Sequence, residues 1–573
     1  MDRKDFLAKL LPGKQALNTA VLPKKKQDNK EESLRKSNEL VLNSGIAPYA
    51  GGWTKNEVIH LLKRLTFGAP KEEVDYFSTL TYTEAVDLLL NTTNQNPGEP
   101  LKHYTPSTLT LSNDGDWGVA VGKSWVNNLT SDGGVNSSRR QSLKCWWMNL
   151  MINQPRSIEE KMILFWSTHF AIEFDTVGTG TYCYQYLQII RKYAMGNLKQ
   201  LTRDMTLSPA MLVYLNGQSN NKTVPDENYA RELQELFLLG KGPDSLYTED
   251  DVKAAAKVLT GWRVDGTKGA AYFTLSRHDI TNKQFSSFYG NTVIAGQNSN
   301  NGGDLELDAL LNMIFAQAEV AKYICRRIYR FFVYGNISAT VESNVINPLA
   351  DTLRTNGYDI KLVLNQLFKS EHFFDVLTQG AMIKSPIDFV VGTIREFKFK
   401  MPPVNNTLVY YRHLNYYIDQ AGIMEQSIGD VPNVSGWPAY YQHPEYDNLW
   451  INTDTYTKRQ LLVNTFLSGY TNSSQKSGID VIEMAKRMPN PSNPNALVAD
   501  LTTYLLRIPL SQATRDRLKV DLLLTGQAED YYWSDAWNLY LSSPFNMAYY
   551  NDMNNRLRSL ITYILNMEEY HLM

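Results

Sequence analysis

Apolar residues recur every three to four positions along most of the chain from Trp53 onward. That period predicts amphipathic helices. In "TKNEVIHLLKRLTFG", Val58, Leu61, Leu62 and Leu65 form one stripe, Thr54 and Glu57 suit a capping box, and Gly68 closes the segment. "TYTEAVDLLLN" repeats this logic, and "SIEEKMILFWSTHFAIEFD" opens with a further box, Ser157 to Glu160. Helical periodicity returns from Leu305 to Phe374, after the loop "NSNNGGDLELD", and again over the C-terminal stretch between Asn/Pro-rich breaks.

Other segments break the period. "SNDGDWGVAVGKSWVNNLTSDGGVNSSRR" is rich in Gly, Ser and Asn and reads as a loop region. "AYFTLSRHD" and "KQFSSFYG" alternate and predict a short hairpin. "NNTLVYYRHLNYYIDQAG" is heavy in aromatics, and "GDVPNVSGWPAYYQHPEYDNLWINT" reads as a Pro/Gly/Asn/Trp loop. No short-period repeat is present. The pattern predicts a mainly α fold: a large multi-helix domain with a small β-hairpin and long loops. Residues 1–50 read as a basic tail or linker, 51–400 as an N-terminal helical subdomain, and 401–573 as a C-terminal one.

"PDENYARELQELFLLGKG", from Pro225 to Gly242, combines this pattern with charge. On a helical wheel Tyr229, Leu233, Leu236 and Phe237 share one face. Glu227, Arg231 and Glu235 fall opposite, at the spacing that supports a helix by a few tenths of a kcal/mol per pair. Pro225 suits the first turn and Gly240 the C-terminal cap. Asn228 and Glu232 flank the apolar face, where a carboxylate needs a partner. The next stretch, "SLYTEDDVKAAAKVLTGW", has a capping box at Thr248 and Asp251. The loop between lacks the alternating acids, central Gly and final Glu of a calcium-binding EF-hand.

The chain has 573 residues, more than one ordinary core accommodates, so two or more packed subdomains or one large helical domain are expected. A formal net charge of −2 gives no basic footprint and argues against nucleic-acid binding. No apolar run reaches the roughly 18 residues of a transmembrane helix. Tyr (34) and Trp (11) suit a large core, or stacking surfaces for sugars or peptides. Cys145, Cys183 and Cys325 lie far apart and read as buried thiols, with no paired-cysteine metal or redox motif. "MDRKDFLAKLL" resembles a twin-arginine export signal with Lys4 replacing the second Arg. The apolar segment that should follow is missing, which favours a cytoplasmic location over export.

Candidate chemistry is sparse. His169, next to Trp166 and followed by Glu173 and Asp175, suits a general base or a metal ligand; it equally suits a helix-end histidine satisfied by a carbonyl. His278 and Asp279 are loop ligands or a turn in which Asp279 bonds its own backbone. Arg231 with Glu227, Glu232 and Glu235, and with Asn228 nearby, is an anion site or a solvated ladder. "VPNVSGWP", with Trp437, and the later Trp450 and Asn452 read as a rigid turn carrying an exposed Trp lip, or as a docked loop. Arg64 and Asp251 are weaker candidates. No phosphate loop, nucleophile elbow, HExxH or dinucleotide fingerprint is present, and the residues assign neither a metal nor a cofactor.

"ENYARELQELFLLG" followed by "YTEDDVKAAAKVLTGW" resembles the most characteristic segment of a large bacterial family, domain of unknown function 1800. "HLLKRLTFGAPKEEV", "EEKMILFWSTHFA", "HDITNKQF", "KSPIDFVVGTIRE" and "PNVSGWP…WINT" resemble its other blocks, in order. The resemblance implies a mostly helical bacterial protein, often encoded beside a sulfatase-like family and often exported. It also implies two further histidines, at the positions held here by Ser167 and Phe237. Their loss favours a binding or assembly component that acts with a sulfatase-like partner at the cell envelope. The alternative is a hydrolase or polymer-modifying enzyme using His169 with carboxylates of the 227–235 helix, with or without a metal.

Overall fold

A computed structural model describes residues 42–91, 96–105, 116 and 118–573. The export-signal-like start, most of the 1–50 tail and part of the 112–140 loop region lie outside these residues. The fold is mainly α, with three small two-stranded antiparallel sheets among the described residues. Helix follows helix from Lys55–Leu65 to Met547–Leu565, and one apolar core runs from Leu42 to Tyr570.

Capping chemistry explains where several helices begin. Thr54 with Glu57, Thr81 with Glu84, and Thr248 with Asp251 form the expected boxes. Ser157 and Glu160 do not. Ser157 Oγ accepts from the backbone N–H of Glu159, and Glu160 turns inward to Arg191 at 2.7 Å. Gly68 closes the first helix with φ +73, and a Cβ there would lie 2.9 Å from Gly392 Cα. Glycine therefore lets that end approach the Pro386–Glu396 helix.

Two local readings change. The expected loop ends early, because a helix runs over Gly133–Ile152; Asp132 caps it, its carboxylate accepting from Val135 N–H at 2.9 Å. The expected hairpin partners also differ. Ala270–Phe273 pairs back onto Trp262–Asp265, and Lys283–Gln284 pairs forward with Val293–Ile294. The turn after Asp265 decides this, since Asp265 Oδ1 accepts from Thr267 and Lys268 N–H. The third hairpin joins Tyr470–Asn472 to Gln475–Ser477.

The Pro225–Gly242 segment is a helix with a defect. It starts at Asn228, later than Pro225 suggests, and becomes a π-helix over Leu233–Leu238. The wider turn brings Gln234 into the core, where it accepts from Tyr289 O–H at 2.7 Å, and leaves Leu236 only partly buried. Gly240 ends it with φ +78.

Candidate functional site

His169 sits at the end of the Glu159–His169 helix, fully buried. Rings of Phe165, Trp166, Phe170, Phe237 and Tyr323 surround it. Its Nε2–H donates to the Phe237 carbonyl at 2.9 Å, and its Nδ1 has no protein partner. Burial, then Arg327, pushes its pKa down to about 3, so the ring stays neutral. Ser167 is buried too, donating to Leu164 O at 2.8 Å. Trp166 is a core residue whose indole donates to Ala194 O at 2.9 Å.

The other predicted residues stand apart from it. Arg231 bonds Glu249 at 2.7 Å and Glu227 at 3.0 Å on the protein's outer face, and Glu235 turns to Lys241. Asn228 is exposed, with its backbone N–H on Asp226. Glu232 is half-buried at the core edge, as its position implies. Burial raises its pKa, and Oε2 lacks a partner. His278 is sealed against Glu306 (2.9 Å) and Thr260, and Lys283 joins the same carboxylate at 2.7 Å. Asp279 closes a turn with Thr281. Asp251 holds Ser286 besides its cap. Trp437 and Trp450 form no exposed lip, being 1% and 3% exposed. Their loop packs on the Glu159–His169 helix, where Trp437 N–H meets Thr168 Oγ1 at 3.4 Å.

The sequence blocks converge elsewhere, in a buried ionic core. Lys63 pairs with Glu396 at 3.0 Å, and Lys161 pairs with Asp388. Arg64 donates to Thr378 O at 2.7 Å and Arg459 to Lys384 O at 2.8 Å. Lys384 lies 3.8 Å from the Tyr570 ring centre; burial, then Lys63, pushes its ammonium down to about 7. Burial lifts Asp447 to about 6. Lys63, Glu396, Lys161 and Asp388 are nearly solvent-free, so this network ties helices together.

An open groove of about 510 Å³ lies between the Gly133–Ile152 and Thr407–Ile423 helices and the Tyr470 hairpin. Its walls carry two flat ring pairs: Tyr416 on Tyr470 (3.9 Å, 7°) and His103 on Tyr411 (5.1 Å, 29°). Gln141 and Asn415 bond each other across it, and Asn415 also donates to Asp419 at 2.9 Å. Arg140 pairs with Asp175 at 3.0 Å, and Lys144 with Asp430. Arg412, at the exposed rim, makes one 3.4 Å contact with Ser473 Oγ. Partial burial raises Asp419, although it reaches solvent, and Lys144 opposes the shift. None of these side chains except Asp175 was singled out from the sequence. Their signal is spacing: Ser137, Arg140, Gln141 and Lys144 share one helix face, as do Tyr411, Arg412, Asn415, Tyr416 and Asp419.

Among the described residues no group of three or more His, Cys, Asp or Glu is placed to hold a metal ion. No helix there is long and apolar enough to cross a membrane.

Fold and groove together define a large mainly α protein with a helix-walled surface cleft rich in rings and amides. Residues 60–570 match the profile of a family described as "Protein of unknown function (DUF1800)", and the chain belongs to that family. No curated protein and no solved structure matches it.

Proposed function

We propose that this protein is a binding component that holds a saccharide chain in the groove between the Gly133–Ile152 and Thr407–Ile423 helices. The observation that carries this reading is the groove's chemistry. The partly exposed rings of Tyr416, Tyr470 and His103, the last stacked on the buried Tyr411, offer surfaces for the apolar faces of sugars, and amides and charged groups between them suit hydroxyls. Arg412 is free to meet an anionic substituent. Action with a sulfatase-like partner at the cell envelope is the finer form of this reading, and it rests on the family resemblance. The Arg231 cluster and His169 then serve the scaffold.

A hydrolase or polymer-modifying enzyme is the second reading. One observation favours it: two carboxylates in different surroundings, Asp175 paired with Arg140 and Asp419 raised by partial burial, line the same groove. Titration calorimetry with polygalacturonate and with neutral xylohexaose tests the binding reading. Heat from either probe, lost in Tyr416→Ala, is expected; no heat from both overturns it. Release of reducing ends that stops in Asp419→Asn would replace binding by catalysis.

A further inference from the structure

The turn between the Tyr531–Ser542 and Met547–Leu565 helices gathers apolar side chains in solvent. Phe545 is 96% exposed and Met547 65%, with Leu541 and Leu539 beside them in sequence and also exposed. Such a projecting tip forgoes the stabilisation of burial, which is unusual without a surface to receive it. The tip is held firmly. Trp533, Trp537 and Tyr540 are buried behind it, with Trp533 stacked on Trp537 at 5.6 Å.

Charge selects the occupant. The run from Ala536 to Asn551 contains no acid or base, and no Lys or Arg lies between Gly526 and Asn555. Around it Asp530 pairs with Lys519, Asp552 with Arg556, and Lys486, over the Tyr540 ring, with Glu483, which leaves the exposed Glu529 and Asp535 as the unbalanced charges. An anionic membrane is therefore disfavoured, because the nearby bases already hold carboxylates and the unbalanced charges are acids. A second copy would add the same two unbalanced acids, Glu529 and Asp535. A surface of zero net charge with an apolar interior meets neither penalty. We infer that the Leu539–Met547 tip inserts into the interface of a zwitterionic bilayer, with Phe545 and Met547 as its anchors. Tyr550, on the following turn, has an amphipathic ring suited to the headgroup level.

Co-sedimentation of the full chain with phosphatidylcholine vesicles tests this. The wild type is expected to pellet with the vesicles, and Phe545→Ser/Met547→Ser to partition about tenfold less. Both side chains are exposed, so an unchanged melting temperature separates lost binding from lost folding. Adding phosphatidylserine is expected to weaken binding. Wild type left in the supernatant, equal pelleting of the variant, or stronger binding on added phosphatidylserine overturns the inference. Concentration-dependent self-association without vesicle binding, lost in the variant, also overturns it and gives the tip to a second copy.

Discussion

His169 donates its Nε2–H to the backbone carbonyl of Phe237 at 2.9 Å. The bond ties the end of the Glu159–His169 helix to the π-helical turn, at one of the two positions where the family resemblance implies another histidine. Here Phe237 packs its ring against Phe170 at 5.1 Å, and the site is a buried aromatic joint. The imidazole then acts as a neutral hydrogen-bond donor inside the core.

Acid sensitivity follows. His60, His169 and His571 are all buried, and burial holds each below its ordinary value. The unfolded chain protonates them near pH 6.5, and the folded chain resists. Their contribution to stability is intact above that value and is lost as pH falls toward the folded pKa. The cost is about 1.4 kcal/mol per pH unit for each histidine. Urea midpoints between pH 8 and pH 5 should fall, and His169→Phe should reduce the slope by about one proton.

The ionic core predicts an asymmetry between single and paired changes. Glu396→Gln strands the Lys63 ammonium in the interior and should cost about 3–5 kcal/mol. The pair Lys63→Met/Glu396→Leu should recover most of it. Equilibrium unfolding of the two variants beside the wild type provides the comparison.

Trp437 should behave as a core residue. Its truncation to Ala should cost about 3–5 kcal/mol. An exposed lip would give a loss near zero in the same thermal melt.

The outer-face pairs should matter little. Arg231 is partly exposed and shared between Glu227 and Glu249, so Arg231→Ala should cost no more than about 1 kcal/mol and leave groove binding unchanged. Calorimetry and melting on one preparation check both halves.

Much of the helical frame was legible because capping and periodicity are local. Thr54–Glu57 and Thr248–Asp251 closed as their spacing implies. The Ser157–Glu160 box failed because Arg191, distant in sequence, offers Glu160 a buried partner. The π-helix over Leu233–Leu238 was hidden because a wheel assumes one period throughout. The groove escaped for a similar reason. Ser137 and Arg140 read as loop by composition, which hides the face they share with Gln141 and Lys144 on a helix. The opposite wall, Tyr411 to Asp419, was visible as an aromatic-rich stretch without its partner.

Hydrogen exchange with and without polygalacturonate, and with and without xylohexaose, tests the central claim most directly. The account predicts slowed exchange confined to residues 133–144, 407–419 and 470–472, absent in Tyr416→Ala. Protection over 227–249 instead, or no change at the groove with either saccharide, would contradict it.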